Sequence, residues 1–193
     1  WFSGQAWMIA RYDPADAAGL VLAAKGGHNG ESHNHNDLGN FIVHLGGESV
    51  FLDLGSAPYE KGYFGPDRYR FYAASSPAHS VPVVNGLPQS PGREHAARVL
   101  DHRAGETEDV LDLELAGAYP AEADLAGLRR TITLHREPPR GWVSVTDSFA
   151  FSAGPGRMES VLVTAGSAEI DGPQVTVRTG RAARARGGAA DAA

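Results

Sequence analysis

The chain has 193 residues, no cysteine and a formal net charge of -6, from 17 Lys and Arg against 23 Asp and Glu. Without thiols, disulfides, zinc ribbons and cysteine chemistry are excluded, and any metal must be held by His, Asp or Glu. The acidic balance argues against broad nucleic-acid binding, and no run approaches the ~18 apolar residues needed to cross a membrane.

The chain opens on Trp1 and runs at once into what reads as a strand, Gln5 to Arg11. It opens with no initiator Met, basic n-region or apolar h-region, so it is read as the downstream piece of a longer protein; a signal peptide would lie outside this sequence, which specifies no compartment. From Asn40 the dominant period is two. Phe41, Val43 and Leu45 alternate with Ile42 and His44, Gly46 and Gly47 turn the chain, and Val50 to Leu54 returns as the second arm of a hairpin. Val81–Val84 with the Asn85–Gly86 turn, Ala97–Arg103, Val110–Leu115, Leu128–Arg136, Trp142–Phe149, Ser160–Thr164 and Gln174–Arg178 read as further strands. About ten strands at intervals of roughly 8–15 residues predict an all-β chain, an antiparallel β-sandwich over residues 1–178. With 24 Gly and 12 Pro, the composition suits such a turn-rich fold. Short helices are expected only at Pro14–Ala18 and within Pro66–Ala74. Residues 179–193, rich in Ala, Gly and Arg, read as a tail or a truncated segment.

Two stretches break the strand pattern. Gly55 to Ala78 is a long connection that carries Tyr59, Tyr63, Tyr69 and Tyr72 with Arg68 and Arg70; connections of that length inside a β domain are usually functional. The other runs from Gly26 to Phe41 and gathers His28, Asn29, Glu31, His33, Asn34, His35, Asn36 and Asp37 just ahead of a strong strand. If the segment is extended, His33 and His35 share one face and can converge on a cation or an anionic ligand. Asp53 follows among Phe51, Leu52 and Leu54, where a carboxylate needs a partner. His79 closes the long connection. Two His and one Asp at neighbouring strand ends suit Zn²⁺. A solvated polar loop, with Asp53 capping a turn or pairing with an Arg, accounts for the same residues. A cupin does not: its Glu would fall at Gly39 or Asn40, and its late His–Asn pair would need Asn at Val83. Trp7 and Trp142 are assigned to packing in the core or between sheets.

The order His33-Asn34-His35-Asn36-Asp37-Leu38-Gly39-Asn40-Phe41, Gly47, Leu52-Asp53-Leu54-Gly55, a Tyr-rich loop, Ala78-His79-Ser80 and Asn85-Gly86 resembles the heparinase II/III-like polysaccharide lyases. The resemblance spans Leu20 to Gln89. It implies a supersandwich-like β domain, normally preceded by an α/α toroid that this sequence lacks and that would be its partner across an active-site cleft. It implies a structural Zn²⁺ on His35, Asp53 and His79, with His33 facing the cleft. Tyr69 matches a cleft tyrosine, with Tyr63 and Tyr72 as competitors. Asn34 and Arg70 are assigned to substrate binding. The sequence departs from the family at Ser80, where Asn is usual. The implied reaction is β-elimination on an acidic, uronate-containing polysaccharide or oligosaccharide. A metal-stabilised carbohydrate-binding or structural β-sandwich without activity is the alternative.

Overall fold

The computed structural model describes residues 1–179. Their strands are β1 (Trp7–Arg11), β2 (Val21–Lys25), β3 (His28–Asn29), β4 (Phe41–Leu45), β5 (Glu48–Phe51), β6 (Pro82–Val84) and β7 (Gly92–Ala96). They continue with β8 (Arg98–Ala104), β9 (Glu108–Glu114), β10 (Leu125–His135), β11 (Trp142–Phe151), β12 (Met158–Ser160), β13 (Ser167–Asp171) and β14 (Gln174–Arg178). One antiparallel sheet runs β1-β2-β4-β5 and a second β11-β10-β9-β8; the pairs β12-β6, β13-β14 and β3-β7 flank them. The tail expected over 179–193 lies, from Gly180 on, outside the described residues.

The alternation read in the sequence decides which face of each sheet is buried. Met8, Ala10, Leu22, Ala24, Phe41 and Val43 project from the first sheet into one hydrophobic core with Leu111, Leu113, Leu128, Ile132 and Leu134 of the second. The fold is the all-β sandwich that the strand pattern predicts. Several elements were not predicted. β2 rests on Val21-Leu22-Ala23-Ala24-Lys25, where alanines carry little strand preference; pairing with β1 and β4 on both sides makes it a strand. Neither helix candidate forms an α-helix. At Pro14–Ala18 the Asp13 and Asp16 side chains accept from the backbone N–H of Ala15 and Ala18, which stabilises turns instead. Pro66–Ala74 becomes short 3₁₀ turns at Arg68–Arg70 and Tyr72–Ala74, followed by another at Ser76–Ala78.

Trp7 and Trp142 correct the packing expectation. They are 42% and 45% exposed. Trp7 stands on the outer face of the first sheet because Met8 and Ala10 take the core face. Trp142 stacks on His135 across the β10–β11 pair, with ring centroids 3.8 Å apart.

A charged residue occupies a core position. Arg130 shares the inward face of β10 with Leu128 and Ile132 and is fully buried. Its Nε and Nη2 donate to both carboxylate oxygens of Asp147 on β11, each at 2.7 Å. Its Nη1 donates to the carbonyls of Gly39 at 3.0 Å and Ser80 at 2.9 Å. The bidentate pair satisfies the charge, and the two carbonyl bonds fasten the chain entering β4 and the chain entering β6 to the second sheet. Gly39 permits this approach: its φ is +83°, and a Cβ there would lie 2.7 Å from Leu115.

Removing one partner of a buried pair leaves the other charge uncompensated. Arg130→Ala should therefore cost about 3–5 kcal/mol of stability. Urea unfolding should show a lower midpoint at unchanged slope; a midpoint equal to the parent's would deny Arg130 this role.

Candidate metal centre and cleft

The polar segment ahead of β4 is not extended. His33 has φ +58°, in the left-handed region, and the residues from Glu31 to Asn40 form turns. His33 and His35 therefore do not sit as alternate residues of a strand. The His33 ring packs near Phe64, with centroids 4.8 Å apart, while His35 lies 5.1 Å from the ring of His79.

A buried amide network fixes this shape. Gln89 mimics a neighbouring strand: its Oε1 accepts from the Leu38 N–H at 2.9 Å and its Nε2 donates to the Leu38 carbonyl at 2.7 Å. Asn36 donates to the Gln89 carbonyl at 3.1 Å, and the Ser76 hydroxyl donates to the Asn36 carbonyl at 2.7 Å. Asn40 links two of the site's segments directly. Its Nδ2 donates to Asp53 Oδ2 at 2.7 Å, and its Oδ1 accepts from the Ser80 N–H at 2.9 Å.

His35, Asp53 and His79 converge, with one ligand atom of each within 4.8 Å of the others. They come from the loop before β4, the chain just past β5 and the chain just before β6. His79 is completely buried. Its Nε2 lies 3.1 Å from the Ala73 carbonyl and its Nδ1 lies 2.8 Å from Asp53 Oδ2. Both ring nitrogens thus face acceptors. With Nε2–H donating to Ala73, Nδ1 is the nitrogen turned towards Asp53, and the backbone carbonyl is the kind of outer partner that orients a metal-binding imidazole. Burial, and then the neighbouring His79, hold His35 below its ordinary value, against the opposing pull of Asp37 and Asp53. This favours the neutral, ligating form. Burial pushes the Asp53 carboxyl up, but the hydrogen bond and charge of His79, the Gly55 N–H and His35 outweigh it and leave Asp53 below its ordinary value. The donor set therefore suits a divalent cation.

The long connection packs over this centre. Tyr63 is fully buried, and its hydroxyl lies 3.4 Å from His35 Nε2. Arg68, also buried, donates to the Asn34 carbonyl through Nε at 3.2 Å and Nη2 at 2.8 Å, and its guanidinium lies 4.6 Å from the Tyr63 ring centroid. The Tyr69 hydroxyl donates to Asn34 Oδ1 at 2.8 Å, and Asn34 Nδ2 donates to the carbonyls of Asn29 and His35. The Asn34 amide is thus committed within the loop. Arg70 points to solvent on a surface pair with Asp67, at 3.4 Å. A cleft of about 400 Å³ opens beside the centre; His33, Asn34, His35 and Asp53 line it together with Trp7, Ile9, Lys25 and Ile42 from the outer face of the first sheet. Tyr69 and Arg70 are not among its lining residues.

With the sandwich and this centre in place, a family model described as Heparinase II/III-like, C-terminal, matches residues 3–185. The chain belongs to the heparinase II/III-like family. Among solved structures, a heparan sulfate lyase mutant from Pedobacter heparinus aligns with TM-score 0.61 at 21% identity, over 78% of this chain and 22% of its own. A structure of heparinase III aligns with TM-score 0.66 at 18% identity, over 92% of this chain and 27% of its own. At these identities the superpositions speak for the fold, and the chain spans well under a third of either structure. No curated protein matches the sequence.

For a heparinase II/III-like domain, the sequence motif names the ligand candidates but not the residues that hold them. Gln89, Asn40, Ser76 and Arg130 were missed. Asn40 and Ser76 lie beside named residues, and a polar residue next to an expected ligand is a usable signal. Gln89 and Arg130 act across large sequence separations and carry no local signal. Gln89→Ala would orphan the buried N–H and carbonyl of Leu38, at about 1–3 kcal/mol for each group. Chemical denaturation should register this loss, and unchanged stability would show that Gln89 does not brace the loop.

Proposed function

We propose that this chain is the β-sandwich part of a polysaccharide lyase that cleaves a uronate-containing polysaccharide by β-elimination. The observation that carries the reading is the placement of His33 at a cleft lined also by His35 and Asp53, two of the three residues in the His35–Asp53–His79 donor set. Family membership supports the reaction class. An α/α toroid would supply the facing half of the active site.

Zn²⁺ would be held by His35, Asp53 and His79, and when bound it supplies a fixed cross-link among three segments of the chain. The reacting bonds lie outside that cross-link. In β-elimination a base takes the proton from C5 of the uronate. The electron pair of that C–H bond forms the C4–C5 double bond, the bond from C4 to the glycosidic oxygen breaks, and the departing oxygen takes up a proton. The C5 proton is weakly acidic beside an ionised carboxylate. A group that neutralises the carboxylate stabilises the enolate-like state, and it does so most strongly when already oriented. His33 fits this part because it lines the cleft and an imidazole N–H can donate to the uronate carboxylate. Tyr69 is the second proton-handling group; it lies behind the cleft wall, and its hydroxyl reaches the wall through its hydrogen bond to Asn34, which lines the cleft and contacts the substrate. Arg70 is an outer cation for the acidic chain.

Two measurements test the reading. His35→Ala should lower zinc content, read by elemental analysis, and thermal stability together; a variant unchanged in both would refute the ligand assignment. His33→Ala in the full-length protein should keep its zinc and lose about 10²–10⁴-fold in turnover, followed by the ultraviolet absorbance of the unsaturated uronate. Retained turnover would exclude the catalytic role.

A further inference from the structure

The long connection is anchored from below and bare on top. Tyr63 and Ser76 are fully buried, and Arg68 nearly so, yet Tyr59 and Phe64 in the same loop are 60% and 54% exposed. The two exposed rings are not loose. Their centroids lie 4.9 Å apart in an edge-on arrangement, and each also contacts Tyr63, at 5.1 Å for Tyr59 and 5.2 Å for Phe64. The Arg68 guanidinium lies 4.9 Å from the Phe64 ring centroid, so a buried cation supports that ring. His33 borders the pair, 4.8 Å from Phe64 and 6.4 Å from Tyr59. Its left-handed backbone, at φ +58°, accompanies this placement. Left-handed conformations are costly for a residue with a Cβ and cluster at functional sites.

Exposed aromatic rings held rigid by a buried support are a preorganised surface for an amphipathic ligand. A pyranose has such a ligand face: its axial C–H bonds form an apolar patch, and its hydroxyls and carboxylate point outward from the rim. We propose that Phe64 and Tyr59 form a stacking platform for a pyranose ring of the acidic polysaccharide, the ring next to the uronate that meets His33. This rests on the lyase reading above and adds to it a subsite and a specificity element. The platform recognises the carbon face of the sugar, while His33 at its edge meets the charge.

The test uses the full-length protein with heparan sulfate, alginate and hyaluronan as substrates. Phe64→Leu keeps an apolar side chain and removes the ring; Phe64→Tyr keeps the ring. For whichever polymer is cleaved, Phe64→Leu and Tyr59→Leu should each raise KM about 3–10-fold with kcat little changed, and Phe64→Tyr should restore the parent KM. Zinc content and melting temperature serve as folding controls, and Phe64→Ala repeats the test if Phe64→Leu fails them. An unchanged KM in both leucine variants overturns the platform and leaves the lyase intact. A fall in kcat at constant KM also overturns it, since it makes Phe64 a support for His33 only. If no polymer is cleaved, calorimetric binding of the same three decides: binding weakened by Phe64→Leu upholds the platform while the lyase reading fails, and binding of none overturns both.

Discussion

The buried guanidinium of Arg130 ties the sandwich to its functional edge. A core position that could have held another leucine instead carries a charge. That charge is tolerable because Asp147 meets it bidentately and the Gly39 and Ser80 carbonyls accept its remaining donor. A hydrophobic residue of similar volume can pack as well, but it could not hold two backbone carbonyls from different segments. Those segments lead into β4 and β6, and both belong to the candidate metal centre. The second sheet, which contributes no ligand, thereby sets where the ligand-bearing loops begin.

Around that anchor the site is built mostly from amides. Gln89 pairs with Leu38 as a strand would, and Asn40 spans from Asp53 to the Ser80 N–H. A loop buried this deeply must find partners for every N–H and carbonyl, and side-chain amides provide both donor and acceptor where no regular ladder fits. Once satisfied, such a network holds its geometry, because each broken bond would leave a buried polar group. The same logic explains Arg68, whose charge is met by carbonyls and aromatic faces rather than by a carboxylate.

Much of the candidate centre was legible in advance, and for a physical reason. Ligand residues need particular chemistry, so His35, Asp53 and His79 stand out against a chain of strands and turns. The alternation of Phe41 and Val43 likewise gave away the core face of β4, since burial on one side of a strand imposes a period of two. Other readings failed where the environment outweighed the local pattern. Alanine-rich β2 became a strand between two neighbours, and Trp7, large and apolar, went outward because the residues beside it filled the core. The shared face expected for His33 and His35 assumed extended backbone; with the left-handed turn at His33, one ring packs by Phe64 and the other by His79. Arg68 and Arg70, alike in sequence, part company: one is buried under the loop and the other lies in solvent.

By itself the sequence determined the fold class, the absence of thiol chemistry and the residue types able to bind a metal, because strand periodicity and donor chemistry are local properties. Only the tertiary structure decided which donors meet, which tyrosine lies against His35 and which aromatic rings stay bare. Those outcomes depend on contacts between segments far apart in the chain, such as Arg130 with Gly39 and Gln89 with Leu38. Such pairings follow from closing the two sheets over a common core, and no window of neighbouring residues encodes them.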